Sequence, residues 1–117
     1  MSGSYNRPVE SRAERVARNE ALFREVNERI KQVNENLGTQ EEADFICECG
    51  NADCTEPVSL TLGEYEGVRR DGTHFAVIPD HVVRDIERVV ARYDHFAVVE
   101  KTEPQAAAVA AAENPRS

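Results

Sequence analysis

Apolar residues recur every seven positions along the N-terminal third of the chain. They form two interleaved series with one polar member, which are Val16, Phe23, Ile30 and Leu37, and Asn19, Val26 and Val33. This is the pattern of an a/d heptad seam. Ser11 followed by Glu14 has the spacing of a capping box, and Gly38 provides a left-handed residue at the far end. The sequence therefore predicts a long amphipathic helix over residues 11–38, roughly 39 Å in length.

Short apolar runs alternate with turn residues after this helix. Val58–Thr61 alternates like a strand, and Thr61 with Glu64 repeats the capping-box spacing before a short helix from Leu62 to about Arg70. Phe75–Ile78 reads as a second strand that ends at Pro79. The pattern predicts a small α+β domain over residues 39–101.

Residues 82–93 fit two structures. Val82, Ile86, Val89 and Tyr93 share one face of a helix, but the same segment also fits the first strand of a β-hairpin that returns through Phe96–Val99. The pattern leaves this choice open, and both versions give an α+β fold.

Residues 1–10 lack any periodicity and are expected to form a flexible leader. The Pro- and Ala-rich residues 102–117 are expected to form a disordered tail.

The charge of the chain narrows the classes of partner. The formal net charge is −8, and every charged residue between Glu41 and Glu66 is acidic. Such a surface repels phosphate backbones and anionic lipids, so neither nucleic acid nor a membrane is expected as a partner. The sequence has no apolar run of the ~18–20 residues that span a bilayer and no apolar signal core. We therefore expect a cytoplasmic protein in a reducing compartment.

All three cysteines of the protein fall within eight residues. Cys47, Cys49 and Cys54 have the spacing Cys-x-Cys-x₄-Cys, and Gly50 and Asn51 tolerate the unusual backbone angles of a tight turn. Clustered cysteines in a reducing compartment indicate a metal site more readily than disulfides. Closed structural Zn²⁺ sites are commonly Cys₄ or Cys₃His with tetrahedral geometry. The spacing therefore predicts a zinc knuckle.

The fourth zinc ligand is expected to be a histidine. His81 follows Pro79-Asp80 at the end of a predicted strand and is the first choice; His74, His95, a water molecule, Asp53 and Glu48 stay open. Three thiolates and a neutral imidazole around Zn²⁺ carry a net charge of −1, which makes the ion a weak Lewis acid and favours a structural role. An iron–sulfur cluster usually requires four thiolates, and the chain has three.

The cysteine segment resembles a known motif. Cys47-Glu48-Cys49-Gly50 followed by Cys54 is similar to the zinc-binding post-SET segment of protein lysine methyltransferases, in which three cysteines bind Zn²⁺ with a fourth from elsewhere. The resemblance covers eight residues, and no methyltransferase domain is present. The whole chain also resembles a family of small uncharacterised bacterial zinc-knuckle proteins, through its Arg/Glu-rich helix at residues 18–27, its knuckle and a downstream histidine.

These features predict a non-catalytic module for protein–protein interaction or regulation. Its partner would be another protein, or a second copy in a homodimer, bound through the seam of the N-terminal helix. The alternative is a thiol-based redox or zinc sensor that uses Cys47, Cys49 and Cys54. An enzyme with a catalytic zinc is a weaker hypothesis, because it requires an open coordination position and a general base such as Glu48 or Glu56.

Overall fold

The fold is α+β, as the sequence predicts. The computed structural model describes residues 11–38, 42–51, 53–54 and 56–116, so the predicted leader lies outside the described residues. The elements, in chain order, are α1 (Arg12–Leu37), β1 (Ala43–Ile46), β2 (Pro57–Leu60), α2 (Leu62–Arg69), β3 (His74–Val77), a 3₁₀ turn (Pro79–His81), β4 (Glu87–Arg92), β5 (Ala97–Lys101) and α3 (Pro104–Ala112). None of these helices is long and apolar enough to cross a membrane.

Both predicted capping boxes are present. The Ser11 hydroxyl accepts a hydrogen bond from the Glu14 amide at 3.1 Å, and the Glu14 carboxylate accepts one from the Ser11 amide at 3.0 Å. The same reciprocal pair joins Thr61 and Glu64 at the start of α2. At the other end of α1, Gly38 has a φ of 73°, the left-handed conformation that ends a helix at low cost for glycine.

The face that α1 buries is largely polar. Its fully covered side chains are Ala17, Glu20, Ala21, Arg24 and Asn27. The heptad positions lie beside or opposite this face. Four of them are half-buried, namely Val16, Asn19, Phe23 and Ile30, and three are exposed, namely Val26, Val33 and Leu37.

Two antiparallel sheets form the rest of the domain. β1 pairs with β2 in register Phe45↔Val58, and the Phe45 ring stacks on Tyr65 of α2 with centroids 4.5 Å apart. The second sheet has the order β3-β5-β4. These elements enclose an apolar core centred on Phe45, Leu60, Tyr65, Phe75, Val77, Phe96 and Val99.

Residues 87–101 form a β-hairpin, which is one of the two structures that the sequence pattern allowed for this region. The Tyr93 amide donates to the Phe96 carbonyl at 2.8 Å, and their rings stack at 4.5 Å across the turn. β5 is buried through Ala97, Val98 and Val99 and is the central strand, so its second edge requires β4 as a partner. A helix at residues 82–93 would leave that edge unpaired. The register shift between Val89 and Ala91 marks a β-bulge, which obscured the period-two alternation in the sequence.

The C-terminal segment differs from the expected disordered tail. Pro104–Ala112 forms α3, whose cap residue Glu103 accepts hydrogen bonds from the amides of Gln105 and Ala106 at 2.9 and 3.0 Å. Ala106 and Ala110 are fully buried, and α3 packs along α1. The Ala-rich composition therefore reflects high helix propensity and close helix packing, not disorder.

A buried ion-pair network links α1 to the second sheet. The Lys101 ammonium contacts the carboxylates of Glu20, at 2.5 Å, and of Glu87. Neither oxygen of Glu20 accepts a well-oriented hydrogen bond from the described residues. Burial raises the pKa of Glu20 from 4.5 to about 7, although the charge of Lys101 opposes the shift. The fold therefore favours a protonated Glu20 in mildly acidic solution.

Replacing Glu20 with glutamine should remove one pH-dependent component of stability. Between pH 4.5 and about 7 the folded chain holds a proton on Glu20 that the unfolded chain has lost. The free energy of unfolding of the wild type therefore falls as the pH rises through this window. The fall over the whole window is on the order of 3 kcal/mol. In Glu20→Gln this fall should be absent. Urea unfolding of both proteins from pH 5 to 8 measures the difference, and parallel stability curves would contradict the assignment.

Candidate metal centre

The three cysteines lie on the loop that joins β1 to β2. Beyond the last pair of that ladder, the Cys47 amide still donates to the Glu56 carbonyl at 2.9 Å. The Cys54 amide donates to the Asn51 carbonyl at 3.0 Å and closes a turn. The loop therefore reverses direction and brings Cys47 and Cys54 close together. All three thiols are buried.

His81 reaches this loop from the end of β3. Pro79 stops the strand, and the His81 amide donates to the Ile78 carbonyl at 2.8 Å within the 3₁₀ turn. The Ile78 amide in turn donates to the Cys47 sulfur at 3.2 Å. The rigid break after β3 thus directs the imidazole toward the thiols, as the sequence predicts.

The four side chains are arranged around one point. Their ligand atoms, the sulfurs of Cys47, Cys49 and Cys54 and a ring nitrogen of His81, all lie within 4.8 Å of one another. Nδ1 of His81 is 3.4 Å from the Cys47 sulfur and 3.6 Å from the Cys54 sulfur. A tetrahedral Zn²⁺ site has S···N edges of about 3.5 Å, given Zn–S of ~2.3 Å and Zn–N of ~2.0 Å. The cluster therefore fits a tetrahedral metal ion.

A carboxylate orients the imidazole. Nε2 of His81 lies 3.1 Å from an oxygen of Glu56. A proton on Nε2 that bonds to this carboxylate leaves the lone pair of Nδ1 free to bind a metal. Metal-binding histidines usually have such a partner on the second ring nitrogen, and it fixes their tautomer and orientation. Glu56 therefore prepares His81 for metal binding.

A hydrogen bond between two of the thiols shifts their pKa values in opposite directions. The hydrogen bond between Cys47 and Cys49 raises the pKa of Cys47 and lowers the pKa of Cys49 to about 5. Burial raises the pKa of Cys54. Because a divalent metal binds thiolates, binding of one ion to all three sulfurs releases protons, and affinity falls in acid.

The other candidates for a fourth ligand lie elsewhere. His74 contacts Glu100 at 3.1 Å and Asp71 at 3.5 Å, and His95 lies 3.8 Å from Glu42. Each of these histidines belongs to a separate, more exposed group of carboxylates. Asp53 is exposed and is not among the clustered residues.

Glu48 has a structural role that the sequence analysis missed. Its side chain is fully buried and does not belong to the group of clustered ligands. One oxygen accepts from Arg69 at 3.1 Å and from the Ala76 amide at 2.9 Å, and the other accepts from Asn27 at 2.8 Å and lies 3.5 Å from the Tyr65 hydroxyl. The residue between two cysteines thus joins the knuckle to α1, α2 and β3. Its position next to both cysteines was the only sequence signal.

Helix α1 rests directly on the knuckle. Asn19, the polar member of the heptad series, donates to the Gly50 carbonyl at 3.2 Å, and Asn27 exchanges hydrogen bonds with the backbone of Ile46 at 2.8 and 2.9 Å. Val16 packs so closely that a Cβ at Gly50 would lie 2.2 Å from its Cγ1. Gly38 is the one described residue with a positive φ. Gly50 is therefore required for this close approach, and not for the unusual backbone angles expected from the sequence.

Replacing Gly50 with alanine should loosen the contact between the knuckle and α1. We expect a loss of about 1–3 kcal/mol in the free energy of unfolding, because Val16 is stiff and must move. Gly67→Ala in α2 is the matched control, since its Cβ would meet no atom within 4 Å. That change should stabilise by about 0.5–1 kcal/mol through helix propensity. Equal effects of the two substitutions in urea unfolding would contradict the contact.

The resemblance to the post-SET segment is confined to the cysteine segment. The resemblance to the small bacterial proteins concerns the order of a helix, a knuckle and a histidine along the chain. Membership in the family of small bacterial zinc-knuckle proteins stays a prediction. No protein-family model matches this chain, and no curated protein or solved structure is significantly similar to it.

Proposed function

We propose that this protein is a non-catalytic interaction module whose fold is held by one structural Zn²⁺. The observation that carries the proposal is the convergence of three thiols and one imidazole on a single point. This donor set is typical of closed structural zinc sites, and thiolates and imidazole also disfavour hard cations such as Mg²⁺ and Ca²⁺. Clustered cysteines without a disulfide are typical of a reducing compartment, which is consistent with a cytoplasmic location.

The surroundings of the cluster support a structural role over catalysis. Four protein ligands fill a tetrahedral shell, so no position is left for a substrate or an activated water. The two carboxylates considered as general bases already have partners. Glu56 is paired with His81, and Glu48 is buried against Arg69. Neither is placed to take a proton from a molecule at the metal.

A metal at this site would fix α1 to the domain. The knuckle loop supplies the Gly50 carbonyl that Asn19 binds and the Glu48 carboxylate that Asn27 binds. Ordering the loop therefore positions α1, which keeps an apolar stripe exposed on its far side. A row of exposed apolar residues on one face of a helix favours a protein interaction site.

Cobalt substitution tests whether the site is closed. Protein loaded with Co²⁺ in place of Zn²⁺ should show the strong visible absorption of tetrahedral cobalt and the charge-transfer bands of bound thiolate. Added azide should leave the spectrum of the wild type unchanged, whereas His81→Ala, which opens one position, should respond to it. A wild-type spectrum that shifts with azide would instead indicate an exchangeable position and a catalytic metal.

One observation favours the sensor alternative. A crevice of about 250 Å³ lies beside the cluster and is lined by residues that include Cys49 and His81. A small oxidant could enter it. Hydrogen peroxide would take two electrons from a pair of thiolates, forming one disulfide and, with two protons, two waters, and the metal would leave. Retention of zinc under mild peroxide would exclude this alternative.

A further inference from the structure

Helix α1 carries an apolar stripe on its solvent side. The stripe consists of Leu22, Val26, Val33 and Leu37, which are 58%, 40%, 57% and 75% exposed. At about 100° per residue, the four side chains lie within about 60° of one another around the helix axis. The buried Ala17 and Arg24 lie on the opposite side. The helix thus packs its polar face against its own domain and leaves apolar residues uncovered.

This stripe shares Val26, Val33 and Leu37 with the seam predicted from the heptads but not the rest of that seam. Of the predicted series, Val16 and Ile30 pack against buried apolar residues of the domain, and Asn19 binds the Gly50 carbonyl. Those side chains are already used within the chain. Leu22, which lies outside both heptad series, belongs to the exposed stripe instead.

The spacing of the stripe is the same in both directions. Its members are separated by four, seven and four positions, so the order Leu, Val, Val, Leu is unchanged when the helix is reversed. A two-fold axis that runs between two antiparallel copies of the helix, perpendicular to both and level with Arg29 and Ile30, therefore places Leu22 of one copy beside Leu37 of the other, and Val26 beside Val33. An interface related by such an axis must be complementary to itself, and this stripe is.

We propose that the stripe binds a second copy of this chain, with the two α1 helices antiparallel. This inference rests on the proposed function and names the partner of the same module. Antiparallel alignment opposes the two helix dipoles and covers all eight exposed side chains over a length of about 22 Å. An interface of this size lies at the small end for protein complexes, so the dimer dissociates on dilution.

Charge substitutions at the two inner positions test the pairing. Val26→Lys and Val33→Glu each place two charges in the homodimer against apolar partners, and each should raise the dissociation constant at least ~10-fold. Mixed together, the two variants should recover a heterodimer, because Lys at position 26 then faces Glu at position 33 and the remaining two valines face each other. Gln32→Lys, exposed and off the stripe, is the control and should dimerise like the wild type. Sedimentation equilibrium measures all of these proteins, and metal content is measured in the same samples.

The outcomes separate this inference from the proposed function. A concentration-dependent wild-type dimer, its loss in each variant and its recovery in the mixture support antiparallel self-pairing. Zinc-loaded wild type that stays monomeric throughout overturns self-pairing and leaves the module with another protein as its partner. If the wild type dimerises but the mixture of Val26→Lys and Val33→Glu forms no heterodimer, the antiparallel arrangement is also overturned. Absence of metal from the wild type contradicts the proposed function whatever the oligomeric state.

Discussion

Cys49→Ser is expected to abolish metal binding and, with it, the cooperative unfolding of the domain. Serine cannot supply a thiolate, and the remaining two thiols and imidazole cannot close the shell. Structural Zn²⁺ contributes about 10–16 kcal/mol of binding free energy in small zinc domains, which is comparable to or larger than the whole stability of a typical domain, about 5–15 kcal/mol. Metal analysis together with thermal unfolding followed by circular dichroism measures both effects.

Histidine variants provide the matched comparison. His81→Ala should weaken metal binding and lower stability, but less than Cys49→Ser, because its Nδ1 lies among the sulfurs while all three thiolates remain. His95→Ala removes an exposed imidazole that belongs to a different group of side chains and should leave both properties unchanged. Wild-type metal content and melting temperature in Cys49→Ser would show that the thiols do not hold the fold together.

Glu48→Ala should have the second largest effect, a loss of about 3–5 kcal/mol in the free energy of unfolding. The side chains of Glu48 and Arg69 are 0% and 1% exposed, so removal of the carboxylate leaves a buried guanidinium without its counter-charge. The Ala76 amide and the Asn27 side chain also lose an acceptor. Urea unfolding in saturating zinc measures the change while the metal site is kept filled.

Two further variants show whether the loss comes from the buried charge. Glu25→Ala removes an exposed carboxylate from α1 and should change stability by less than about 0.5 kcal/mol. In the double variant Glu48→Met/Arg69→Met both charges are absent. Its loss in the free energy of unfolding should be smaller than the sum of the losses in Glu48→Met alone and Arg69→Met alone. Additive losses, or a Glu48→Ala effect below about 1 kcal/mol, would contradict the proposed role of Glu48 as the link between the knuckle and the helices.

The parts of the fold that depend on local chemistry were predictable. Capping residues fixed the start of α1 at Ser11 and of α2 at Thr61, and both are confirmed. The cysteine spacing and the Pro79 break identified the four residues that the structure brings together. In each case the signal lies within a few neighbouring residues, and the reason for it is steric or chemical.

The parts of the fold that depend on tertiary contacts could not be predicted from the sequence. Glu20 and Arg24 carry charges, so the sequence places them on a solvent face, yet each is buried by partners more than 40 residues away. Residues 87–92 form a strand because β5 requires a second neighbour. α3 is ordered because α1 provides a surface for Ala106 and Ala110. None of these partners can be read from the local pattern, and a helix that buries Glu20 and Arg24 while it exposes both of its leucines departs from the usual rule.

Native mass spectrometry of the intact chain tests the central claim most directly, because one spectrum reports both the bound metal and, through the charge states, the compactness of the protein. We predict one zinc ion per chain with a narrow distribution of low charge states. After treatment with a strong chelator, the mass should fall to that of the chain alone and the charge states should become broad and high. A metal-free mass with the same compact charge states before and after chelation would contradict the account.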